Sequence, residues 1–243
     1  MLPLLFFITA LVYSTAGLAG GTTYLALLTL FAFPHDLIPM LALLCNLVVS
    51  LGGVWHFSRQ LPLRRILPFL LTSIPMSYWG ASIPIGRRPF TILLAISLLA
   101  AAFRLLIADE SLKPGRQIDR KIAWFVGLPS GGLLGFLSGL VGIGGGVFLS
   151  PLLLLTGWTD PRGAAASASL FIFVNSLAGL AGQFSKEGLP LPGPEAIGLL
   201  LAVFLGGQIG SRLGSRQFSR LTLQRITALL IAVVSAKLWW GLF

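Results

Sequence analysis

The residues best placed to do chemistry in this chain are glycines. The run Gly139-Leu-Val-Gly-Ile-Gly-Gly-Gly-Val-Phe-Leu-Ser-Pro151 contains Gly142, Gly144, Gly145 and Gly146. Without Cβ atoms these residues let the backbone turn sharply and bare several N–H groups. If a helix starts here, its unpaired first-turn amides and the positive end of its dipole favour an anion. A second cluster, Gly20, Gly21, Thr22 and Thr23, offers the same chemistry with two hydroxyls added. Neither is a nucleotide loop, since no Gly-Lys-Ser/Thr follows the glycines. Two such helix ends meeting would make an oxyanion site from neutral donors.

Other polar side chains extend this set. Asn46 and Asn175 each lie inside an apolar segment, and Gln208 follows Gly206-Gly207. A carboxamide in hydrocarbon needs a partner, either a ligand or a neighbouring helix. The candidate substrate-binding residues are therefore Gly20, Gly21, Thr22, Thr23, Asn46, Gly144, Gly145, Gly146, Asn175 and Gln208. Blander roles fit the rest. Cys45 reads as a small buried apolar side chain, Ser167 and Ser169 as bonded within their own helix, and Asp36 and Asp160 as N-caps. His56 falls at a helix end, at the interface. Gly127, Gly131, Gly135 and Gly139 recur every four residues, as do Gly198, Ala202, Gly206, Gly210 and Gly214, which is the spacing of close helix packing. On that distinction, valine at Gly145 is expected to abolish function and leave the fold intact, whereas valine at Gly131 lowers stability. Two histidines and one cysteine far apart give no metal-ligand spacing. Neither histidine has a nucleophile to serve, so an enzyme is not expected, and no cofactor is implied.

Composition says what must hold these residues. Of 243 residues, 56% are hydrophobic and 10% charged, against roughly 25% charged in a soluble domain. The apolar residues come in long blocks, the mark of bilayer-spanning helices. The net charge of +10 is spread over short connections between these blocks, which excludes a nucleic-acid-binding domain and fits basic loops on one side of a membrane. The apolar start, Met1 to Ala16, runs straight into further apolar sequence with no preceding Lys or Arg, and reads as a retained first helix rather than a signal peptide.

Ten apolar segments can be marked: Leu2–Ala16, Leu18–Phe33, Leu37–Phe57, Ile66–Ile85, Phe90–Ile107, Ile122–Val141, Gly146–Gly157, Gly163–Phe184, Ala196–Leu213 and Leu223–Phe243. Backbone groups in hydrocarbon must be satisfied internally, so all are expected to be helices. The polar stretch Ala108–Lys121 divides them into a first membrane repeat (1–107) and a second (122–243), joined by a linker (108–121). The halves look like copies. Ala16–Leu25 answers Leu140–Leu149, each followed by a short apolar segment, an acidic turn and a longer segment with one Asn; Ala95–Arg104 corresponds to Ala228–Lys237. If the first two segments of each half form a hairpin that returns to its own side, thirteen cations share one face: Arg59, Arg64, Arg65, Arg104, Lys113, Arg116, Arg120, Lys121, Arg162, Arg212, Arg216, Arg220 and Arg225. Arg87, Arg88, Lys186 and Lys237 fall on the other. The positive-inside rule prefers this arrangement, with the linker cytoplasmic. Five segments per half then make the repeats inverted, each opened by a Gly-rich helical hairpin. Leu18–Phe33 and Gly146–Gly157 would reach only about 24 and 18 Å, short of a core of roughly 30 Å, and short Gly-interrupted segments in matching halves point to a transporter's binding site. No Asp, Glu, Lys or Arg falls mid-segment; Arg104 and Lys237 lie near segment ends, where they can snorkel.

The Gly139–Pro151 run, its degenerate copy at Ala16–Thr23 and the duplicated layout resemble the TauE/SafE sulfite exporter family over nearly the whole chain. The resemblance implies a multi-pass, all-α carrier in a prokaryotic inner membrane that moves a small sulfur-containing anion such as sulfite, sulfoacetate or a related organosulfonate. An anion channel, or a carrier of another small organic anion, is the alternative. The partners expected are that anion and the lipid bilayer; nucleic acid is not, and a homodimer is left open.

Overall fold

The computed structural model describes residues 1–31, 33–34, 37–83, 120–186, 193–216 and 229, and no strand occurs among them. Their helices are α1 (Leu2–Thr15), α2 (Gly21–Leu30), α3 (Leu37–Phe57), α4 (Leu63–Ser82), α5 (Arg120–Val141), α6 (Gly146–Leu155), α7 (Pro161–Phe184) and α8 (Glu195–Arg216). A 3-10 turn, Ser58–Gln60, joins α3 to α4. The segments expected over Phe90–Ile107 and Leu223–Phe243, most of the linker, and Asp36, Arg104 and Lys237 lie outside the described residues.

Among the described residues, four stretches are long and apolar enough to cross a membrane: Leu37–Gln60, Ala123–Val141, Pro161–Phe184 and Ala196–Ser215. By contrast α2 and α6 have 10 residues each, about 15 Å at 1.5 Å per residue. That is half of a hydrocarbon core of roughly 30 Å. The outer surface suits lipid rather than water: Leu71, Trp79, Leu133 and Leu205 are exposed, and Phe125 is 84% exposed, whereas no charged side chain among the described residues is buried.

The central pair is α3 against α7, running antiparallel, with Gly53 against Ser169 and Gly179 against Leu43. Around it, α8 packs on α3 and α4 on α7. Among the described helices, two further pairs cross between the halves of the chain, α1 lying beside α8 and α4 beside α5. Both are parallel glycine seams. Gly131, Gly135 and Gly139 press against the backbones of Phe69, Ser73 and Ser77; Gly206, Gly210 and Gly214 press against Phe7, Leu11 and Thr15. This is the close packing that the four-residue spacing predicts. Gly198 departs from it, since a Cβ there would meet nothing within 4 Å. On the α4–α5 seam the Thr72 hydroxyl also donates to the Leu128 carbonyl at 2.7 Å.

The two short helices fold back. Gly20 faces Thr9, and Tyr24 stacks on Phe6 with ring centroids 4.8 Å apart, so α2 retraces α1. From Gly146, packed on Ile172 and Ala168, α6 leads to Trp158, whose ring meets Phe69 edge-on near the start of α4. Arg65 fixes that end by donating to the Trp158 carbonyl at 2.7 Å. Asp160 then caps α7, accepting from the Gly163 amide at 2.9 Å. Ser167 and Ser169 bond back to the Gly163 and Ala165 carbonyls at 2.7 and 2.9 Å, and Ser169 also reaches the Gly17 carbonyl at 3.0 Å. Cys45 is fully buried and free.

Candidate functional site

Two glycine turns approach one another at the middle of α3. The first, between α1 and α2, places Gly17 and Gly20 at φ of 73° and 92°. The second, between α5 and α6, has Gly142, Gly144 and Gly145 at 78°, 81° and 75°. Side chains rarely adopt such values, so glycine is required by conformation before any question of space. Gly145 is the N-cap of α6. Among the described residues, the amides of Gly144, Gly145, Gly146 and Val147 meet no backbone acceptor, because the turn's own bonds begin with Phe148 and Leu149 donating to the Gly145 carbonyl at 3.0 and 3.2 Å. The helix thus starts within the glycine run, at Gly146.

Asn46 lies between the turns. Its side chain is fully buried, and Nδ2 donates to the Gly142 carbonyl at 3.4 Å. A Cβ on Gly21 would lie 2.5 Å from Nδ2, 2.9 Å from Oδ1 and 2.8 Å from the Ile143 carbonyl oxygen. One on Gly144 would lie 3.3 Å from the same Nδ2. A single carboxamide thus touches both turns, and its Oδ1 is buried without a hydrogen-bond partner. A buried acceptor left unmade costs roughly 1–3 kcal/mol, so its retention at this junction calls for a function.

The remaining candidates divide. Gly20, Gly21 and the buried Thr22 belong to the first turn. Thr23 is partly committed elsewhere, donating to the Tyr13 hydroxyl at 3.0 Å. Gly144, Gly145 and Gly146 form the second turn. Asn175 is fully buried but engaged with the neighbouring helix. Its Nδ2 donates to Ser73 Oγ at 3.1 Å and to the Phe171 carbonyl at 2.8 Å, while Ser77 donates to the Asn175 carbonyl at 2.9 Å. Both amide hydrogens are spent, which leaves Oδ1 as its free atom. Gln208 rests against Gly52 on α3, six residues and so about 9 Å along the helix from Asn46.

Two residues passed over in the sequence belong to this junction. A Cβ on Gly145 would lie 3.2 Å from Ser138 Oγ, and one on Gly144 3.1 Å from Ser176 Oγ. Both serines are fully buried, and both hydroxyls lack a hydrogen-bond partner. Their adjacency to Gly139 and Asn175 was the available signal. The geometry also corrects the expectation that valine at Gly145 would leave the fold intact. With φ at 75° and Phe171 Cε1 2.7 Å from the Cβ position, a side chain there strains the backbone as well as the site.

The description "Sulfite exporter TauE/SafE" matches residues 2–238. The chain belongs to the TauE/SafE family. It is 33% identical over 245 residues to "Probable membrane transporter protein y4hK" of Sinorhizobium fredii (strain NBRC 101917 / NGR234), covering 98% of this chain and 97% of that protein. It is also 25% identical over 118 residues to "Probable membrane transporter protein YunE" of Bacillus subtilis (strain 168), covering 49% of this chain and 42% of the relative. No solved structure matches it. As a TauE/SafE member it is a multi-pass membrane transporter of the cell membrane and not an enzyme.

Proposed function

We propose that this TauE/SafE protein is a secondary carrier that exports a small sulfur-containing anion (sulfite, sulfoacetate or a related organosulfonate), bound where the two glycine turns meet. The observation that carries this reading is Asn46, buried between the turns with an orphan acceptor of its own and, on one side, a helix start whose first amides meet no backbone acceptor among the described residues. Helix N-termini attract an anion, and no buried cation among the described residues competes with them for that role. In this reading Gly20, Gly21, Thr22, Gly144, Gly145, Gly146 and Asn46 contact the anion. Asn175 and Gln208 position the helices around it, and Thr23 fixes the first turn through Tyr13.

The exchanged packing supports two inverted repeats, 1–107 and 122–243, each opened by a Gly-rich hairpin. The α1–α8 seam corresponds to α5–α4 when the halves are swapped, as does α3–α8 to α7–α4. On this reading the hairpins enter from opposite faces, and the end carrying Arg59, Arg64, Arg65, Arg120, Lys121, Arg162, Arg212 and Arg216 is cytoplasmic. Alternating access by rocking one repeat against the other would shear both glycine seams at once. The moving bodies are instead composite, α1 with α8 and α4 with α5, hinged across α3 and α7. Contact between the turns, too close for even a Cβ at Gly21, supports a carrier with a closed state over an open channel.

Flux in proteoliposomes tests this. Uptake of sulfite or a sulfonate should saturate and be stimulated by the same anion trapped on the far side. Linear, unstimulated flux would identify a channel instead.

A further inference from the structure

We propose that Ser138 and Ser176 are substrate-contacting residues, and that with Asn46 Oδ1 they select a monoanion carrying a hydrogen of its own. This rests on the carrier reading above and specifies the form of the anion. Most buried serines in the bundle are occupied: Ser50, Ser167 and Ser211 donate to carbonyls of their own helices at 3.2, 2.7 and 2.7 Å. Ser138 and Ser176 are buried as deeply and donate to nothing. They come from different helices, α5 and α7, and converge on two successive glycines whose amides meet no backbone acceptor among the described residues. A hydroxyl that satisfies itself within a helix is the low-energy default. Two that forgo it beside an anion-attracting helix start are placed to donate to oxyanion oxygens.

Asn46 adds the opposite polarity. Its Nδ2 is held by the Gly142 carbonyl, which fixes the amide orientation and leaves Oδ1 unpartnered beside the first turn, 2.9 Å from where a Cβ on Gly21 would sit. That oxygen only accepts. A fully deprotonated oxyanion would present oxygen to oxygen there, whereas an oxyanion bearing O–H offers the missing donor. The site thus combines donors on the second turn with one unpartnered acceptor beside the first, which matches a protonated monoanion such as hydrogen sulfite. Sulfate and methanesulfonate lack the hydrogen, and sulfate adds a second charge to desolvate.

Sulfite exchange in proteoliposomes and ligand-induced thermal stabilisation of purified protein together decide this. Ser138→Ala and Ser176→Ala should each raise the KM for hydrogen sulfite about tenfold, the loss of one hydrogen bond to a charged group. Ser50→Ala should leave it unchanged. Removing an unpartnered hydroxyl should not lower the melting temperature without ligand, whereas a merely structural serine would lower it. Ligand-induced stabilisation should shrink in both variants. Wild-type protein should prefer hydrogen sulfite to methanesulfonate by about tenfold, and its apparent KM for total sulfite should rise with pH as the hydrogen-bearing form is depleted. Serine variants indistinguishable from Ser50→Ala, or equal affinity for the two anions with no pH trend, would overturn the assignment while leaving the carrier intact. Failure of the wild-type protein to bind or carry any sulfur monoanion would overturn the carrier reading itself.

Discussion

Asn46, in the first half of the chain, holds the turn of the second half, donating to the Gly142 carbonyl at 3.4 Å. Residues 96 positions apart are thereby joined at the point where both glycine turns end. In the proposed carrier, binding at this point and the geometry of the second turn would be coupled through one side chain.

Replacing Asn46 with leucine keeps most of the volume and removes that donor. The buried Gly142 carbonyl is then orphaned, and stability should fall by roughly 1–3 kcal/mol. Exchange should fall at least tenfold as well. Chemical unfolding in detergent and proteoliposome flux measure the two effects separately, and retention of full exchange would remove Asn46 from the site.

The glycine seams differ from position to position. Gly135→Ala drives a Cβ into the Ser73 backbone and should cost about 1–3 kcal/mol, as overpacking does. Gly198→Ala faces open space and should stabilise its helix by roughly 0.5–1 kcal/mol. Melting temperatures of the two variants should move in opposite directions.

Sidedness can be read with single cysteines in a Cys45→Ala background. Ser58 and Ser185 are both exposed and lie beyond opposite ends of the bundle, after α3 and α7 respectively. A membrane-impermeant thiol reagent applied to intact cells should label Ser185→Cys and spare Ser58→Cys and Lys113→Cys. Labelling of the latter two from outside would invert the proposed topology.

Charge selectivity is expected if the anion binds at the proposed site. With no buried cation among the described residues, each added negative charge brings desolvation cost and no counter-ion to offset it. Competition at fixed pH should rank sulfur monoanions above sulfate. Tight sulfate binding would show that a cation reaches the site.

Much of this was legible in the sequence because it depends on local chemistry. The bounds of α3, Leu37–Phe57, follow from an unbroken apolar block, and the turns follow from consecutive glycines that no ordinary helix would keep. Asp160 and Ser167 behave as their residue types dictate. What could not be read depends on neighbours distant in the chain. Glycine spacing announces a close contact but not its partner, so the exchange of seams between halves was hidden and Gly198 looked like its fellows. Ser138 and Ser176 carry the same letter as Ser50 and Ser211; whether a hydroxyl bonds its own helix or stays free is set by what packs above it. Asn175 was paired with Asn46 by position in the repeat, yet Ser73 and Phe171 take up its donors.

The seams also order events during synthesis. Both glycine ladders belong to the second half, whereas the surfaces they cover, on α1 and α4, are made first. Until α5 emerges, Thr72 has no Leu128 carbonyl to meet, and α1 waits longer still for α8. The nascent first half must therefore sit in the bilayer without either glycine ladder, and each seam closes when a separate helix arrives later. A truncated chain ending before α8 would lack the Gly206, Gly210 and Gly214 contacts on α1.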